Sequence, residues 1–286
     1  CLFIRCFKLN KCFDVNTHKT SPVTRSVQTG KRLNRFWTRL CNMPSKHGLT
    51  ALEETKLKIL AVDCLKAMKE QKTFRLLSRE LSLPVGVLSR YISGSVLPKA
   101  DRAEKIVSYF TKSYLSKILE AAKSRSSKFI VTADILSQPF LLNVIAFNAV
   151  KSFSAVSAGR KIDTVLTAAV DGVPLAIAVA NLIGAKCVYA KRTQEISFSD
   201  HYVSKGTAAK PIAAPFYLPK SLLKKNDSVL IVDDVVRAGT TFEALLSICN
   251  QAKASIAGIF AVFITSSAYR EIKKSHPVHY LSLVEA

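Results

Sequence analysis

The sequence predicts an α/β fold, in which a mostly parallel, twisted sheet flanked by helices follows a small all-α domain. The chain has 286 residues, of which 49% are hydrophobic and 22% are charged. At roughly 100–200 residues per domain, this length suits about two domains, and the apolar content excludes a mainly disordered protein. From Thr50 to about Arg125 the apolar residues recur at helical spacing. From Ser127 onward, apolar runs of strand length alternate with helical segments, which is typical of parallel βα units.

Charge and cysteine content limit the class of protein. Lys and Arg number 42 against 20 Asp and Glu, a net charge of +22, which indicates a polyanionic partner such as nucleic acid. A lysine-rich proteome would give the same excess. The seven cysteines form no C-x-x-C pair and no zinc-ligand spacing, so we expect free thiols in a reducing cytoplasm. No stretch reaches about 18 uninterrupted apolar residues, which predicts a protein without a membrane span.

Residues 1–42 differ from the rest of the chain. They hold four of the seven cysteines and show no steady apolar period, whereas regular patterning starts directly after Met43. They also lack an apolar core followed by a small-residue cleavage site, as a signal peptide would have. We expect residues 1–42 to be an unstructured basic extension. It is either an upstream reading frame before a start at Met43 or a disordered tail.

Residues 43–126 are predicted to form the helical domain. Thr50 and Glu53, three residues apart, match a capping box, so the first helix begins there. A second helix covers residues 73–81. The leucines of the first helix are predicted to share one apolar face: Leu52, Leu57, Leu60 and Leu65.

The segment 82–98, SLPVGVLSRYISGSVLP, resembles the helix-turn-helix of archaeal regulators of the repressor type. Ser82 and Leu83 would form the turn, and Pro84 the first position of a recognition helix at 84–92, where proline is tolerated. Leu88 and Ile92 would pack inward. An ordinary three-helix bundle would show the same pattern. The resemblance implies that double-stranded DNA is contacted by outward residues and a following lysine: Val85, Gly86, Val87, Ser89, Arg90 and Lys99.

Residues 127–286 are predicted to form the α/β domain. In such folds ligands bind beyond the carboxyl ends of the strands. The predicted strands lie at 128–136, 163–170, 186–192, 227–236, 255–265 and 279–284, and the predicted helices at 139–153, 174–182 and 240–251.

The segment 229–241, VLIVDDVVRAGTT, is the most specific motif of the chain. It is similar to the phosphoribosyl-pyrophosphate (PRPP) signature of type I phosphoribosyltransferases, of the orotate and purine branches. Carboxylates at a strand end can hold ribose hydroxyls or Mg²⁺, and N–H groups at a helix N-terminus can hold a phosphate. A generic strand–turn–helix with two solvated aspartates is the alternative. The resemblance assigns Asp233 and Asp234 to ribose and Mg²⁺, and Arg237, Ala238, Gly239, Thr240 and Thr241 to the phosphate.

The same resemblance covers most of residues 129–286 and implies further site residues. Residues 193–210 correspond to the loop that closes over the active site in this family. The pyrophosphate loop corresponds to Val170, Asp171, Gly172 and Val173. Were the protein an enzyme, the candidate catalytic residues are Lys191, Arg192, His201 and Lys205.

Two residues depart from the pattern of the enzymes. Asp171 is a carboxylate where the enzymes carry a basic or small residue, and it disfavours a departing polyanion unless Mg²⁺ or Lys191 compensates. Arg237 stands where orotate enzymes have threonine. Both departures are compatible with binding a phosphorylated ribose without turning it over.

The chain as a whole resembles archaeal transcriptional regulators that fuse a helix-turn-helix to a type I phosphoribosyltransferase-like domain. We therefore expect a cytoplasmic, homodimeric, DNA-binding regulator that senses PRPP, a nucleotide or a sugar phosphate, with Mg²⁺ accompanying PRPP. The alternative is a purine or orotate phosphoribosyltransferase, which joins a nucleobase to PRPP and releases pyrophosphate.

Overall fold

The computed structural model describes residues 50–124, 130–154, 161–204, 214–237 and 239–285. The predicted extension 1–42 lies outside these residues. Within them, no helix has both the length and the hydropathy needed to cross a membrane.

The first helix begins with the predicted capping box. The Thr50 hydroxyl accepts from the Glu53 N–H at 3.2 Å, and the Glu53 carboxylate accepts from the Thr50 N–H at 2.8 Å. Leu57, Leu60 and Leu65 are buried as predicted, but Leu52 is 65% exposed. At about 100° per residue, Leu52 lies about 140° around the helix from Leu57, so the predicted single face was wrong there.

The helical part packs directly onto the α/β part. One continuous cluster of buried residues runs from its helices into one face of the sheet and the helices on that face. The predicted boundary between residues 126 and 127 stays a prediction. The helices of this part are α1 (Ala51–Gln71), α2 (Phe74–Leu81), α3 (Val85–Ile92), α4 (Ala100–Phe110), a π-helical turn (Thr111–Leu115) and α5 (Ser116–Ser124).

Helices α2 and α3 are joined by the short turn that the sequence predicts. Ser82 ends α2 in the left-handed region (φ 53°), and Pro84 is the N-cap of α3, one residue before its predicted place inside the helix. Leu88 is fully buried, and Tyr91 is also buried, whereas Ile92 is only partly buried. Most of the predicted outward residues are exposed: Val85, Gly86, Ser89, Arg90 and Lys99. Val87 is the exception, because it packs partly buried against the core.

The sheet confirms the predicted fold class. Its five strands are mutually parallel, in the order β2 (Lys186–Ala190), β1 (Thr164–Ala168), β5 (Ser228–Val236), β6 (Ser255–Thr265) and β7 (Val278–Val284). Alternate residues of a strand face opposite cores, with Val165 on the side of the helical part and Leu166 on the other. The elements are α6 (Ala133–Leu136), α7 (Pro139–Ser154), β1 (Thr164–Ala168), α8 (Val173–Ile183), β2 (Lys186–Ala190), β3 (His201–Val203), β4 (Tyr217–Pro219), β5 (Ser228–Val236), α9 (Thr240–Ala252), β6 (Ser255–Thr265), α10 (Ser266–Ile272) and β7 (Val278–Val284).

The predicted strand at 128–136 is wrong over its described part, 130–136, and residues 128–129 lie outside the described residues. Residues 133–136 form the short helix α6, in which the N–H groups of Ile135 and Leu136 both donate to the Thr132 carbonyl at 2.9 Å. These N–H groups are satisfied locally, so the segment needs no strand neighbour. Helix α10 and the antiparallel pair β3–β4 were not predicted from the sequence.

Candidate functional site

The motif residues Asp233 and Asp234 lie near the carboxyl end of β5, next to the carboxyl end of β1. Both side chains are buried, at 9% and 8% exposure. Burial raises the pKa of the Asp233 carboxyl well above its ordinary value, and the charges of Asp234 and Asp171 act in the same direction. Two adjacent carboxylates out of water are an arrangement that a cation or a set of hydroxyl donors would stabilise.

The loop after β1 closes tightly over Asp233. A Cβ atom on Gly172 would overlap the hydroxyl oxygen of Thr167 and would lie 3.0 Å from Asp233 Oδ1. Only glycine therefore lets the loop approach the carboxylate this closely. The predicted pyrophosphate-loop residues Val170 and Asp171 are exposed beside it, with Val170 at 79%, and the peptide bond before Val170 is cis. The fourth of these residues, Val173, begins α8.

The predicted phosphate-binding loop leads from β5 into α9. Gly239 adopts the left-handed conformation (φ 75°) and is the N-cap of α9, without a side-chain cap among the described residues. Thr240 is exposed in the first turn and Thr241 is partly buried, so their hydroxyls and the first N–H groups suit an anion. Arg237 is exposed, and Ala238 lies outside the described residues.

Two threonines that the sequence analysis missed hold this site in place. Thr132 donates its hydroxyl to Asp234 Oδ2 at 2.9 Å. Thr265, at the end of β6, donates its hydroxyl to the Arg237 carbonyl at 2.5 Å. Thr132 and Asp234 are 102 positions apart in sequence, so no local pattern could reveal their contact.

The candidate catalytic cations are engaged by their own neighbours. Lys191 pairs with Glu195 at 2.6 Å, which raises the pKa of Lys191, and its ammonium also lies over the Tyr189 ring. Arg192 stacks on the Phe216 ring at 3.6 Å and donates to the Ala214 carbonyl.

The two remaining catalytic candidates belong to the segment predicted to close over the site. His201 begins β3, where its Nδ1 lies 3.3 Å from the amide nitrogen of Gln194. Its Nε2 is buried and has no hydrogen-bond partner among the described residues. Lys205 lies outside the residues that the structure describes.

Comparisons with known proteins agree with this geometry. A family model described as the phosphoribosyl transferase domain matches residues 131–285. A probable purine biosynthesis transcriptional regulator of Streptococcus pneumoniae is 36% identical over 152 residues, 52% of this chain and 53% of the relative. The purine biosynthesis transcriptional repressor of Bacillus subtilis is 28% identical over 167 residues, 57% of this chain and 55% of the relative. The chain thus spans about half the length of these regulators.

An enzyme is also among the relatives. The xanthine phosphoribosyltransferase of Lactobacillus helveticus is 26% identical over 136 residues, 46% of this chain and 71% of the enzyme. The solved adenine phosphoribosyltransferase of Saccharomyces cerevisiae has a TM-score of 0.50 at 17% identity, covering 58% of this chain and 97% of that chain, which shows the fold alone. The three sequence relatives are bacterial, so the predicted likeness to archaeal regulators is not borne out by them.

Proposed function

Because the chain belongs to the phosphoribosyl transferase domain family, we propose that it is a transcriptional regulator that binds a phosphorylated ribose, with PRPP as the leading candidate. The observation that carries this proposal is the buried pair Asp233 and Asp234 beneath a loop that only Gly172 allows to close. The ribose hydroxyls would donate to these carboxylates, and the 5′-phosphate would bind at residues 237–241. The similarity to the purine regulators supports a regulatory role.

Mg²⁺ fits the same residues. A magnesium ion is commonly held by one or two carboxylates together with substrate phosphates. A pair of carboxylates is therefore enough, although the described ranges contain no group of three or more side chains that could hold a metal ion. Asp233 and Asp234 would hold the ion, and the ion would neutralise the charge of a bound pyrophosphate group. A cation there would offset the burial and the neighbouring negative charges that raise the pKa of Asp233.

We also propose that the helical part binds double-stranded DNA. Exposed Ser89 and Arg90 of α3 and exposed Lys99 give this surface hydrogen-bonding and positive groups, and the chain carries a net charge of +22. Partly buried Val87 is left out of this surface. A regulator of this kind acts in the cytoplasm and is expected to be a homodimer, since DNA half-sites mirror two-fold symmetry.

The second candidate function is a phosphoribosyltransferase, which the xanthine enzyme among the relatives favours. The pairing of Lys191 with Glu195 and the stacking of Arg192 on Phe216 argue against it, because each cation would have to leave these contacts to meet a departing pyrophosphate. The carboxylate of Asp171 adds a negative charge in the predicted pyrophosphate loop, where it would repel a departing pyrophosphate.

Two measurements test these alternatives. The protein is incubated with PRPP, Mg²⁺ and each common nucleobase, and released pyrophosphate is assayed; we expect none above background, and turnover at ordinary enzyme rates would favour the enzyme. Thermal unfolding is then measured with and without PRPP and Mg²⁺. A ligand at about 100 times its Kd stabilises the wild type by about 2.7 kcal/mol, and the double variant with Asp233→Asn and Asp234→Asn should lose this gain. An equal gain in that variant would place the ligand elsewhere.

A further inference from the structure

The short segment 130–132, which enters the α/β part, contacts both parts of the molecule at consecutive residues. The Val131 N–H donates to the Ala122 carbonyl of α5 at 3.3 Å. The hydroxyl of the next residue, Thr132, donates to Asp234 Oδ2 at 2.9 Å. A single peptide unit therefore joins the last helix of the helical part to a carboxylate of the candidate ribose site.

Thr132 is fixed by its own backbone. Its carbonyl accepts from the N–H groups of Ile135 and Leu136, which makes it the first residue of the turn that becomes α6. Ile135 is 1% exposed and anchors this turn in the core. The Thr132 hydroxyl that holds Asp234 is therefore attached to backbone that is itself hydrogen-bonded and anchored.

The other end of the connection reaches the proposed DNA-binding helix. Helix α5 continues through the π-helical turn from α4 without a break. The Arg102 guanidinium of α4 donates to the Tyr91 hydroxyl of α3 at 3.0 Å. In the middle, Asn148 of α7 donates to the Thr111 hydroxyl at 3.0 Å, inside the π-helical turn. The continuous helical stretch from α4 through the π-helical turn to α5 is called the α4–α5 rod. It thus contacts α3 near one end and the segment 130–132 near the other.

We propose that Thr132 couples the ribose site to the helical part by holding the Asp234 carboxylate, so that ligand binding at Asp234 changes the stability of the α4–α5 rod through Val131. This proposal rests on the proposed function and adds the route by which the site would regulate. A ligand hydroxyl or cation on Asp234 reinforces the Thr132 hydrogen bond, because Thr132 orients the same carboxylate that the ligand uses. By linkage, anything that shifts the rod, such as bound DNA, must change ligand affinity by the same factor.

The test uses the full chain, PRPP with Mg²⁺, and amide hydrogen exchange of residues 112–123. Thr132→Val removes the hydroxyl donor at nearly constant volume, and Thr132→Ser keeps a hydroxyl. The matched control is Thr164→Val, because Thr164 likewise donates to a carboxylate, Asp227 Oδ2 at 3.3 Å, but at the amino end of β1. Ligand affinity is measured in parallel by calorimetry.

We expect PRPP to alter exchange at 112–123 in the wild type, in Thr132→Ser and in Thr164→Val. In Thr132→Val the exchange response should disappear, with ligand affinity about tenfold weaker because one hydrogen bond to a charged group is lost. The concentration is raised to keep the site saturated. An exchange response in saturated Thr132→Val equal to that of the wild type would overturn the coupling.

A second variant covers the case in which Thr132→Val does not fold. Val131→Pro removes the N–H that donates to Ala122 and leaves Thr132 in place. It should bind PRPP as the wild type does and lose the exchange response; a retained response would also overturn the proposal. A wild type that binds PRPP without any change at 112–123 refutes the coupling alone. A wild type that does not bind PRPP refutes the proposed ligand and the coupling together.

Discussion

Gly172→Ala is the substitution for which the structure gives the sharpest expectation. The new Cβ atom would overlap the hydroxyl oxygen of Thr167, which is fully buried, and would lie 3.0 Å from Asp233 Oδ1. Extra methyl groups in a packed interior cost about 1–3 kcal/mol, because side chains or backbone must shift. At about 2–4 °C per kcal/mol for a chain of this order of size, the melting temperature should fall by about 2–12 °C.

The same substitution should also weaken ligand binding, since the atoms that must move include the Asp233 carboxylate. The assay is thermal unfolding followed by circular dichroism, with and without saturating PRPP and Mg²⁺. The stabilisation by ligand in the wild type should shrink in Gly172→Ala. Removing the blocking oxygen with Thr167→Ala should restore part of both losses, which a double-mutant cycle measures.

Gly258→Ala is the matched control. A Cβ atom there would overlap the ring of Phe153, so a comparable loss of stability is expected. The clash lies between β6 and α7 and does not involve the site aspartates, so the ligand should stabilise this variant as fully as the wild type. Unfolding of Gly172→Ala at the wild-type temperature would refute the packing argument. A Gly172→Ala variant that is destabilised but gains the full ligand effect would remove the loop from the binding site.

Three further predictions use other groups. Asp233→Asn should raise the stability of the ligand-free protein at pH 7, as urea unfolding would show. Because the pKa of Asp233 is raised, the native state keeps its proton to a higher pH than the unfolded state does. The free energy of unfolding of the wild type is therefore highest below the ordinary pKa near 4 and falls as pH rises through the raised pKa, by about 1.4 kcal/mol per unit of pKa shift. An unchanged or lower stability of Asp233→Asn at pH 7 would contradict this. Burial lowers the pKa of His276 and His279, so their contribution is present above pH about 6.5 and is lost as pH falls through the lowered values, and His279→Phe should flatten the stability profile between pH 7.5 and 5. In filter binding across a salt series, Arg90→Ala should cost about 1–3 kcal/mol for one sequence if it reads a guanine, whereas Lys99→Ala should weaken all duplexes and lower the salt slope by about one unit. Wild-type behaviour of both variants on every duplex would rule out this surface.

The central part of the fold could be predicted because its signals are local. β5 contains the apolar run Val229–Val232 directly before the two aspartates, and β6 is apolar from Ile256 to Ile264, as strands covered on both faces tend to be. Both strands occupy nearly the predicted residues. The segment at 130–136 could not be predicted, since a four-residue helix and a short strand need the same few apolar side chains. The strands β3 and β4 have only three residues each, too few to show a period of two.

The candidate site divides in the same way. Asp233, Asp234 and Gly239 belong to one contiguous motif, so their placement together at the end of β5 follows from the sequence. The contacts that hold them come from elsewhere in the chain, from Thr132 before α6 and Thr265 after β6. Such hydroxyl contacts depend on how the elements pack, and a single threonine leaves no periodic trace.

If the candidate site binds PRPP as proposed, its electrostatics favour holding the ligand over expelling pyrophosphate. The side chains of Lys191 and Glu195 are about one-third exposed, at 32% and 31%. Solvent still screens such a pair, and surface pairs are worth about 0–1 kcal/mol, so a bound phosphate could recruit Lys191 at small cost. Arg192 is held more firmly, because its guanidinium both stacks on Phe216 and donates to a backbone carbonyl. Recruiting only the lysine leaves one cation facing a group with several negative charges, next to the carboxylate of Asp171. Asp233 and Asp234, by contrast, already lie side by side at the end of β5, where ribose hydroxyls or Mg²⁺ would bind under the proposed function. Under the proposed function, the carboxylates that would bind the ribose are therefore already in place and the cations that would stabilise a leaving group are not, which is the balance that a sensor requires.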